Sequence, residues 1–346
     1  MRFVFWVGMQ NIEAFREFLR TPRKMVILTH FNPDADALGS SLGLSRYLKK
    51  KGHEVIVITP SDYPEFISWM PKPGEVLVYR KDRVEKIAEL IRDAGGVFCL
   101  DFSSLNRIND MGAMVRASAA TKILIDHHLE PEKFADFEQW DQTAASTAEL
   151  VYALIGELGD KGLIDNEMAD CLYAGIMTDT GSFRHSNTTY KVFRAASGLV
   201  ELGANPYQVS KLIYDTNTVE RLRLLGYVLS EKLRVVPEYR TAFMVLTADE
   251  LKRFSSQTGD TEGLVNYGLS IKGIKLSVLI SDRKENIKLS MRSLGTFSVN
   301  EMARAHFEGG GHRNAAGGQT TLTLDQTVDK FLRVLPLYKD QLTSHD

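Results

Sequence analysis

The chain has 346 residues, 44% of them hydrophobic and 25% charged, with a formal net charge of −2. That balance is globular and excludes a disordered or fibrous chain; at roughly 150 residues per domain it implies two domains. A near-neutral charge also excludes a protein that holds long duplex DNA by counterion release, so a nucleic-acid partner is expected to be short or held by a local patch.

No apolar run reaches the roughly 18 residues that span a bilayer, so no membrane partner is expected. The opening MRFVFWVGMQN is apolar but lacks a small-residue cleavage site, and reads as a leading strand or an appended remnant rather than a signal peptide. Cys99 and Cys171 sit in the apolar stretches VFCLD and ADCLYAG without metal-ligand spacing. They read as buried small hydrophobes in a reducing compartment, most simply the cytoplasm.

The first half alternates short apolar runs with helix-like stretches. The runs are MVILT (25–29), EVIVIT (54–59), VLVY (76–79), VFCL (97–100) and KILI (122–125). Between them, Ala37–Lys51, Asp82–Asp93 and Arg107–Ser118 carry apolar residues at helical spacing. Short continuous runs separated by helices predict a doubly wound, mainly parallel sheet with helices on both faces. Ser146 to Tyr214 reads as mostly helical.

Val219–Leu233 reads as a helical connector ended by Pro237. Beyond it, Tyr239–Thr247, Lys275–Ile280 and Ile287–Arg292 read as strands. Ile287, Leu289 and Met291 alternate with Lys288, Ser290 and Arg292, the period of a half-buried strand. A short helix (Val299–His306), a glycine cluster, a strand near Gln319–Leu324 and a terminal helix complete a smaller C-terminal α/β domain.

Three chemistry-bearing segments share one topological position. His30-Phe31-Asn32-Pro33-Asp34-Ala35-Asp36 begins where MVILT ends, Asp101 follows VFCL, and Asp126-His127-His128 follows KILI. The carboxyl ends of strands in an open parallel sheet face one crevice, so these residues are expected to converge. Thr178-Asp179-Thr180-Gly181 supplies a fourth segment. Carboxylates and imidazoles without thiolate suit Mn²⁺, Mg²⁺, Fe or Zn²⁺, and crowded like charges call for divalent cations.

Five segments together resemble the DHH phosphoesterase family: HFNPDADALGS (30–40), VFCLDFS (97–103), LIDHH (124–128), GIMTDTGSFRHSNT (175–188) and GGGHRNAAGG (309–318). The last resembles the glycine-rich signature of the DHH-associated C-terminal domain. Within the family the chain is most similar to the stand-alone nano-RNase/pAp phosphatase (NrnA-type) group. Ala35 stands where many members have Gly and others Ala.

The resemblance implies a DHH catalytic domain over 1–215, a helical connector over 216–237 and a substrate-binding domain over 238–346. It implies two divalent metal ions, Mn²⁺ first among them. His30 and Asp34 would hold one, Asp36, His127 and Asp179 the other, and Asp101 would bridge both. Asp126 would fix a histidine tautomer, and His128 would lie near the reacting phosphate.

In the C-terminal domain, Gly309, Gly310 and Gly311 can bring backbone N–H groups to an anion, with His312 and Arg313 next in the chain. From Leu269 to Ala315 there are eight Lys/Arg against four Asp/Glu. Arg292, in a Ser-Met-Arg-Ser strand resembling the family's substrate-binding strand, is assigned to substrate, and Lys288 to a solvated face. Phe183, Arg184 and His185 could meet a nucleotide, with Phe183 equally suited to the core. His128, His312 and Asp101 form the expected catalytic set.

The expected activity is hydrolysis of very short RNA or DNA oligonucleotides to mononucleotides, and of pAp to AMP. A cyclic or linear dinucleotide phosphodiesterase of the same family is the alternative, and a non-catalytic nucleotide-binding protein the third reading. A homodimer is compatible with the sequence.

Overall fold

A computed structural model describes residues 7–257 and 259–344. The leading strand read at the N-terminus begins on residues 1–6, outside the described residues. Two compact units form, Met1–Thr216 and Asn217–Asp346.

In the first unit, α1 (Ile12–Arg20) is followed by β1 (Lys24–Leu28), α2 (Ala35–Lys50), β2 (Glu54–Thr59), β3 (Val76–Val78), α3 (Val84–Arg92), β4 (Gly96–Leu100), α4 (Met111–Ala117), β5 (Thr121–Asp126) and β6 (Phe137–Trp140). The six strands form one sheet in the order β3-β2-β1-β4-β5-β6, with every pair parallel. Parallel pairing buries both faces, which explains the unbroken apolar runs. Ile27, Phe98, Ile123 and Ile125 face α1, α2 and the later helices. Val26, Leu28, Val97, Cys99 and Leu124 face α3 and α4.

Two local expectations change. The helix expected over Arg107–Ser118 is broken: Leu105–Ile108 forms one tight turn, Asn109 turns left-handed at φ 50°, and α4 begins at Met111. β6 was not among the expected strands, because its sequence FEQW is short and half polar.

Four helices follow: α5 (Thr147–Glu157), α6 (Asn166–Asp179), α7 (Tyr190–Glu201) and α8 (Pro206–Tyr214). α2 and α6 approach closely through glycines. A Cβ on Gly39 would stand 2.3 Å from the Cys171 carbonyl oxygen, and one on Gly43 2.7 Å from the Leu172 side chain.

The second unit begins with α9 (Val219–Tyr227), which continues as a wider helical turn to Lys232. Leu224 and Val228 of this segment are buried with Met244, Leu246, Leu251 and Leu264 of the same unit. Next come β7 (Arg234–Val236), β8 (Thr241–Leu246), α10 (Ala248–Arg253), α11 (Leu264–Leu269), β9 (Leu276–Asp282), β10 (Ile287–Ser293), α12 (Val299–His306), β11 (Gly310–His312), β12 (Ala315–Thr320) and α13 (Leu324–Val334). The sheet order is β11-β12-β10-β9-β8-β7. It is antiparallel apart from the parallel β8–β9 pair.

The strand expected over Gln319–Leu324 lies earlier, at Ala315–Thr320, because Thr323 caps α13 with its hydroxyl on the Gln326 N–H. The glycine cluster is not an open loop but half of a hairpin. Gly310 pairs with Gly317, Gly311 with Ala316 and His312 with Ala315.

Glu250 ties α9 to α10. Its carboxylate accepts from Lys232 Nζ, the Tyr227 hydroxyl and the Thr247 N–H. Burial opposes its charge, but these donors outweigh burial and pull its pKa to about 2. A depressed carboxylate pKa stabilises the fold above the ordinary value, and that stability is lost as pH falls toward the folded value. Glu250→Gln is therefore expected to destabilise the second unit by about 1–2 kcal/mol at pH 7, after discounting for solvent. In urea unfolding, the gap from wild type should narrow as pH drops below about 4.5. A gap as large at pH 3 as at pH 7 would contradict the assignment.

Candidate metal centre

β1, β4 and β5 are neighbours in the sheet, so their carboxyl ends lie side by side. His30 comes two residues after β1, Asp101 directly after β4, and Asp126, His127 and His128 end and follow β5. Parallel pairing thus brings together residues almost a hundred positions apart. Asp101 takes a left-handed backbone, φ 65°, with its N–H donating to the Ile125 carbonyl at 3.1 Å. Asp is one of the few residues that enter this region at modest cost.

Asp101 is the centre of the cluster. Its Oδ2 lies 3.4 Å from His30 Nε2, and its Oδ1 3.3 Å from His127 Nε2. Asp34 caps α2, its Oδ1 accepting from the Asp36 and Ala37 N–H groups at 3.0 Å. That leaves Asp34 Oδ2 4.0 Å from His30 Nε2. Asp179, the last residue of α6, places Oδ2 3.5 Å from His127 Nε2. Asp36, His30, Asp101, Asp126, His127 and His128 are buried and form the floor. Asp34 and Asp179 are partly exposed at its rim.

The histidine tautomers follow from their partners. His30 Nδ1 sits 2.9 Å from the Phe31 carbonyl oxygen and His127 Nδ1 3.2 Å from that of Ala144, so each donates there and turns Nε2 into the cluster. His128 Nδ1 donates to Asp126 Oδ1 at 2.8 Å. Asp126 Oδ2 is buried without a hydrogen-bond partner among the described residues. Trp140 of β6 fixes the loop by donating Nε1–H to the His128 carbonyl at 2.7 Å.

Charge crowding is visible in the proton affinities. Burial, then Asp101 and Asp179, push the Asp36 carboxyl well above its ordinary value. Burial works against charge on His127 and on His30, yet the facing carboxylates outweigh it and raise both. Burial also opposes the Asp101 carboxylate, but hydrogen bonds from His127 and His30 hold it well below its usual range. Burial, with Arg107 next, keeps His128 well below its ordinary value and therefore neutral. Burial raises Asp126 to about 6. Positive charge on His30 and His127 thus offsets Asp101, while Asp36 is driven toward its neutral form, a crowding of negative charge that a bound cation would relieve.

The donor geometry fits a metal. One ligand atom from each of His30, Asp34 and Asp101 lies within 4.8 Å of the others, and the same holds for Asp36, Asp101 and His127. A third such group is Asp101, Asp126 and His128. Oxygen and imidazole donors without sulfur suit Mn²⁺, Mg²⁺ or Zn²⁺.

One contributor was not singled out from sequence. Thr147 at the start of α5 donates its backbone N–H to Asp36 Oδ2 at 2.7 Å and its hydroxyl to Asp101 Oδ1 at 3.0 Å. Ala148 N–H donates to Asp36 Oδ1 at 2.8 Å. The Ser-Thr-Ala-Glu segment signalled only a helix start.

The remaining sequence-predicted residues are distributed as follows. Arg184 folds onto the turn after Asp179, Nε donating to the Gly181 carbonyl at 2.8 Å. Phe183 packs on the first unit's core and stacks on Phe193 at 5.6 Å. In the second unit, Arg292, Ala315 and His312 share one cross-strand row, and Arg313 lies in the turn between β11 and β12. Gly310 and Gly311 are in β11, with the Gly311 N–H given to Asn300 Oδ1 at 2.9 Å. A Cβ on Gly309 would stand 2.0 Å from the Gly317 carbonyl oxygen, so this hairpin admits no side chain there. Lys288 lies on the exposed side of β10.

Comparison with known proteins agrees with this arrangement. Residues 24–176 match the DHH family, N-terminal domain, and residues 242–337 match the DHHA1 domain. The chain is 32% identical over 340 residues to the bifunctional oligoribonuclease and PAP phosphatase NrnA of Thermus thermophilus, covering 98% of this chain and 96% of that protein. It is 28% identical to the protein of the same name from Bacillus subtilis, over 85% of this chain and 88% of that one. A solved exopolyphosphatase-related protein from Bacteroides fragilis shares 40% identity and superposes with a TM-score of 0.90, covering 96% of this chain and 97% of its own. With both domains matched in order, and the carboxylates and histidines of the first gathered at adjoining strand ends, the chain belongs to the DHH family.

Proposed function

We propose that this protein is a metal-dependent phosphoesterase that hydrolyses very short oligonucleotides to mononucleotides and pAp to AMP. The observation that carries the reading is Asp101, whose two oxygens face two different histidines at the junction of three strand ends. The substrate class rests on the likeness to the NrnA proteins.

In this reading His30, Asp34 and Asp101 hold one divalent cation, and Asp36, Asp101, His127 and Asp179 a second, with Mn²⁺ the preferred metal. When bound, the cations supply Lewis acidity for attack of water on phosphorus. The chain's own residues orient and move protons. Asp126 fixes His128 with Nδ1 protonated, so Nε2 is a proton acceptor beside the reacting phosphate. In the second unit Arg292, Gly310, Gly311, His312 and Arg313 recognise a terminal nucleotide and its phosphate, and Arg184 of the first unit is assigned to substrate binding on its own. Among the described residues no helix is long and apolar enough to cross a membrane. Both cysteines are free and buried, which fits our assignment to the cytoplasm.

The deciding experiment compares dinucleotides, five-mers, ten-mers, pAp and cyclic dinucleotides with Mn²⁺-loaded enzyme. Efficiency is expected to fall from two to about ten nucleotides, because added phosphates gain little from a near-neutral protein. Rising kcat/KM with length and a steep salt slope would mean an extended single-strand channel instead. Preference for cyclic dinucleotides would favour the phosphodiesterase alternative.

Arginine recognises phosphate through a planar fork that lysine lacks. Arg292→Lys is therefore expected to raise KM about ten-fold with a smaller loss in kcat, the pattern of uniform binding. An unchanged KM would remove Arg292 from the substrate site.

A further inference from the structure

We propose that Thr147 is a positioning residue that ties Asp36 and Asp101 together and fixes the plane of the Asp101 carboxylate, so that one oxygen faces each half of the centre. The inference rests on the metal-centre reading and extends it to a residue outside the ligand set.

The first turn of a helix leaves its N–H groups without partners inside the helix. In α5 those of Thr147, Ala148 and Glu149 all have side-chain partners. Ser146 is the N-cap, and its hydroxyl takes the Glu149 N–H at 3.1 Å. The Thr147 and Ala148 N–H groups both go to Asp36, one to each oxygen. Thr147 is therefore not needed as a cap, and its hydroxyl is turned to Asp101 Oδ1 instead. One residue thus contacts both carboxylates, through different atoms.

The consequence is orientational. Asp101 follows a strand, has a left-handed backbone and is buried, so polar partners rather than solvent set the orientation of its carboxylate. The Thr147 hydroxyl donates to Oδ1, the oxygen that also lies 3.3 Å from His127 Nε2. With Oδ1 held on that side, Oδ2 is left toward His30. Turning the carboxylate out of this plane would break the bond to Thr147. Threonine suits this post because its β-branch restricts χ1.

Thr147→Val keeps the shape and both backbone bonds to Asp36 and removes the hydroxyl alone. Thr147→Ser restores the hydroxyl without the methyl. Mn²⁺ affinity of the metal-free protein is measured by calorimetry, with circular dichroism and melting as controls for folding. Thr147→Val is expected to bind Mn²⁺ about 10–100-fold more weakly, the usual effect of removing a partner of a ligand. At saturating Mn²⁺ its kcat should fall while KM for a dinucleotide holds. Thr147→Ser should recover affinity to within about three-fold of wild type, since the donor is what matters. Equal affinity of Thr147→Val and wild type overturns the proposal, as does a serine variant as impaired as the valine. A wild-type protein that binds no divalent cation would instead remove the metal centre itself.

Discussion

Asp101→Asn is expected to lower turnover by about 10²–10³-fold or more while leaving the fold intact. Asparagine matches aspartate in size, and it tolerates the left-handed backbone at φ 65° better than alanine, which would add strain of about 1 kcal/mol. The Thr147 hydroxyl can still donate to the amide oxygen. What is lost is the anion that His30 and His127 face. Burial alone would make this carboxylate hard to ionise; the two imidazoles reverse that, so the charge is built into the site. Turnover of a dinucleotide with Mn²⁺, and Mn²⁺ calorimetry, should both collapse, with the circular dichroism spectrum preserved. Near-normal turnover would mean that Asp101 does not join the two halves.

Gly175→Val is the second large effect. A Cβ at this position of α6 would stand 2.6 Å from Asp36 Oδ1, 2.8 Å from the Ala148 Cβ and 3.1 Å from the Asp36 Cα. Two of these neighbours are fixed by helix backbone, so α2, α5 and α6 must separate. Overpacking of this kind costs about 1–3 kcal/mol. Here it also breaks the amide bonds to Asp36, so Mn²⁺ affinity should fall along with the melting temperature. Gly226→Ala in α9 is the control. Its Cβ would meet nothing within 4 Å, and the substitution should be neutral or gain up to about 1 kcal/mol from helix propensity. If Gly175→Val melts like wild type and keeps its Mn²⁺ affinity, the close approach of α2 and α6 does not govern the site.

The legible part of the fold was the part that one-dimensional pattern encodes. The runs MVILT, EVIVIT, VFCL and KILI became strands because a doubly covered parallel sheet needs unbroken apolar sequence. Convergence of His30, Asp101 and His127 followed, since it needs only parallel strands and their carboxyl ends. FEQW did not announce a strand; it is four residues long and pairs at the sheet's edge beside β5. Asn109 broke a helix whose apolar spacing was otherwise sound, because one left-handed residue overrides periodicity. The glycine cluster read as a backbone N–H nest for an anion. Its pairing with Gly317 and Ala316 is a tertiary fact that composition does not carry. Thr147 was hidden for a related reason. Ser-Thr-Ala-Glu signals a helix start, but only the packed helix shows that its amides and hydroxyl end on Asp36 and Asp101.

Asp36 and its amide donors are separated by 111 residues of chain, which at about 5–20 residues per second take about 5–20 s to make. Throughout that interval on the ribosome, the nascent protein carries Asp36 without the helix end that later encloses it. Asp179 arrives later still. The centre's donors are therefore complete only once Asp179 has been made, and until then a growing chain meets free ions with only fragments of a site. A cation held by the full donor set would be one met after Asp179 is made, not whichever ion first encounters the emerging carboxylates.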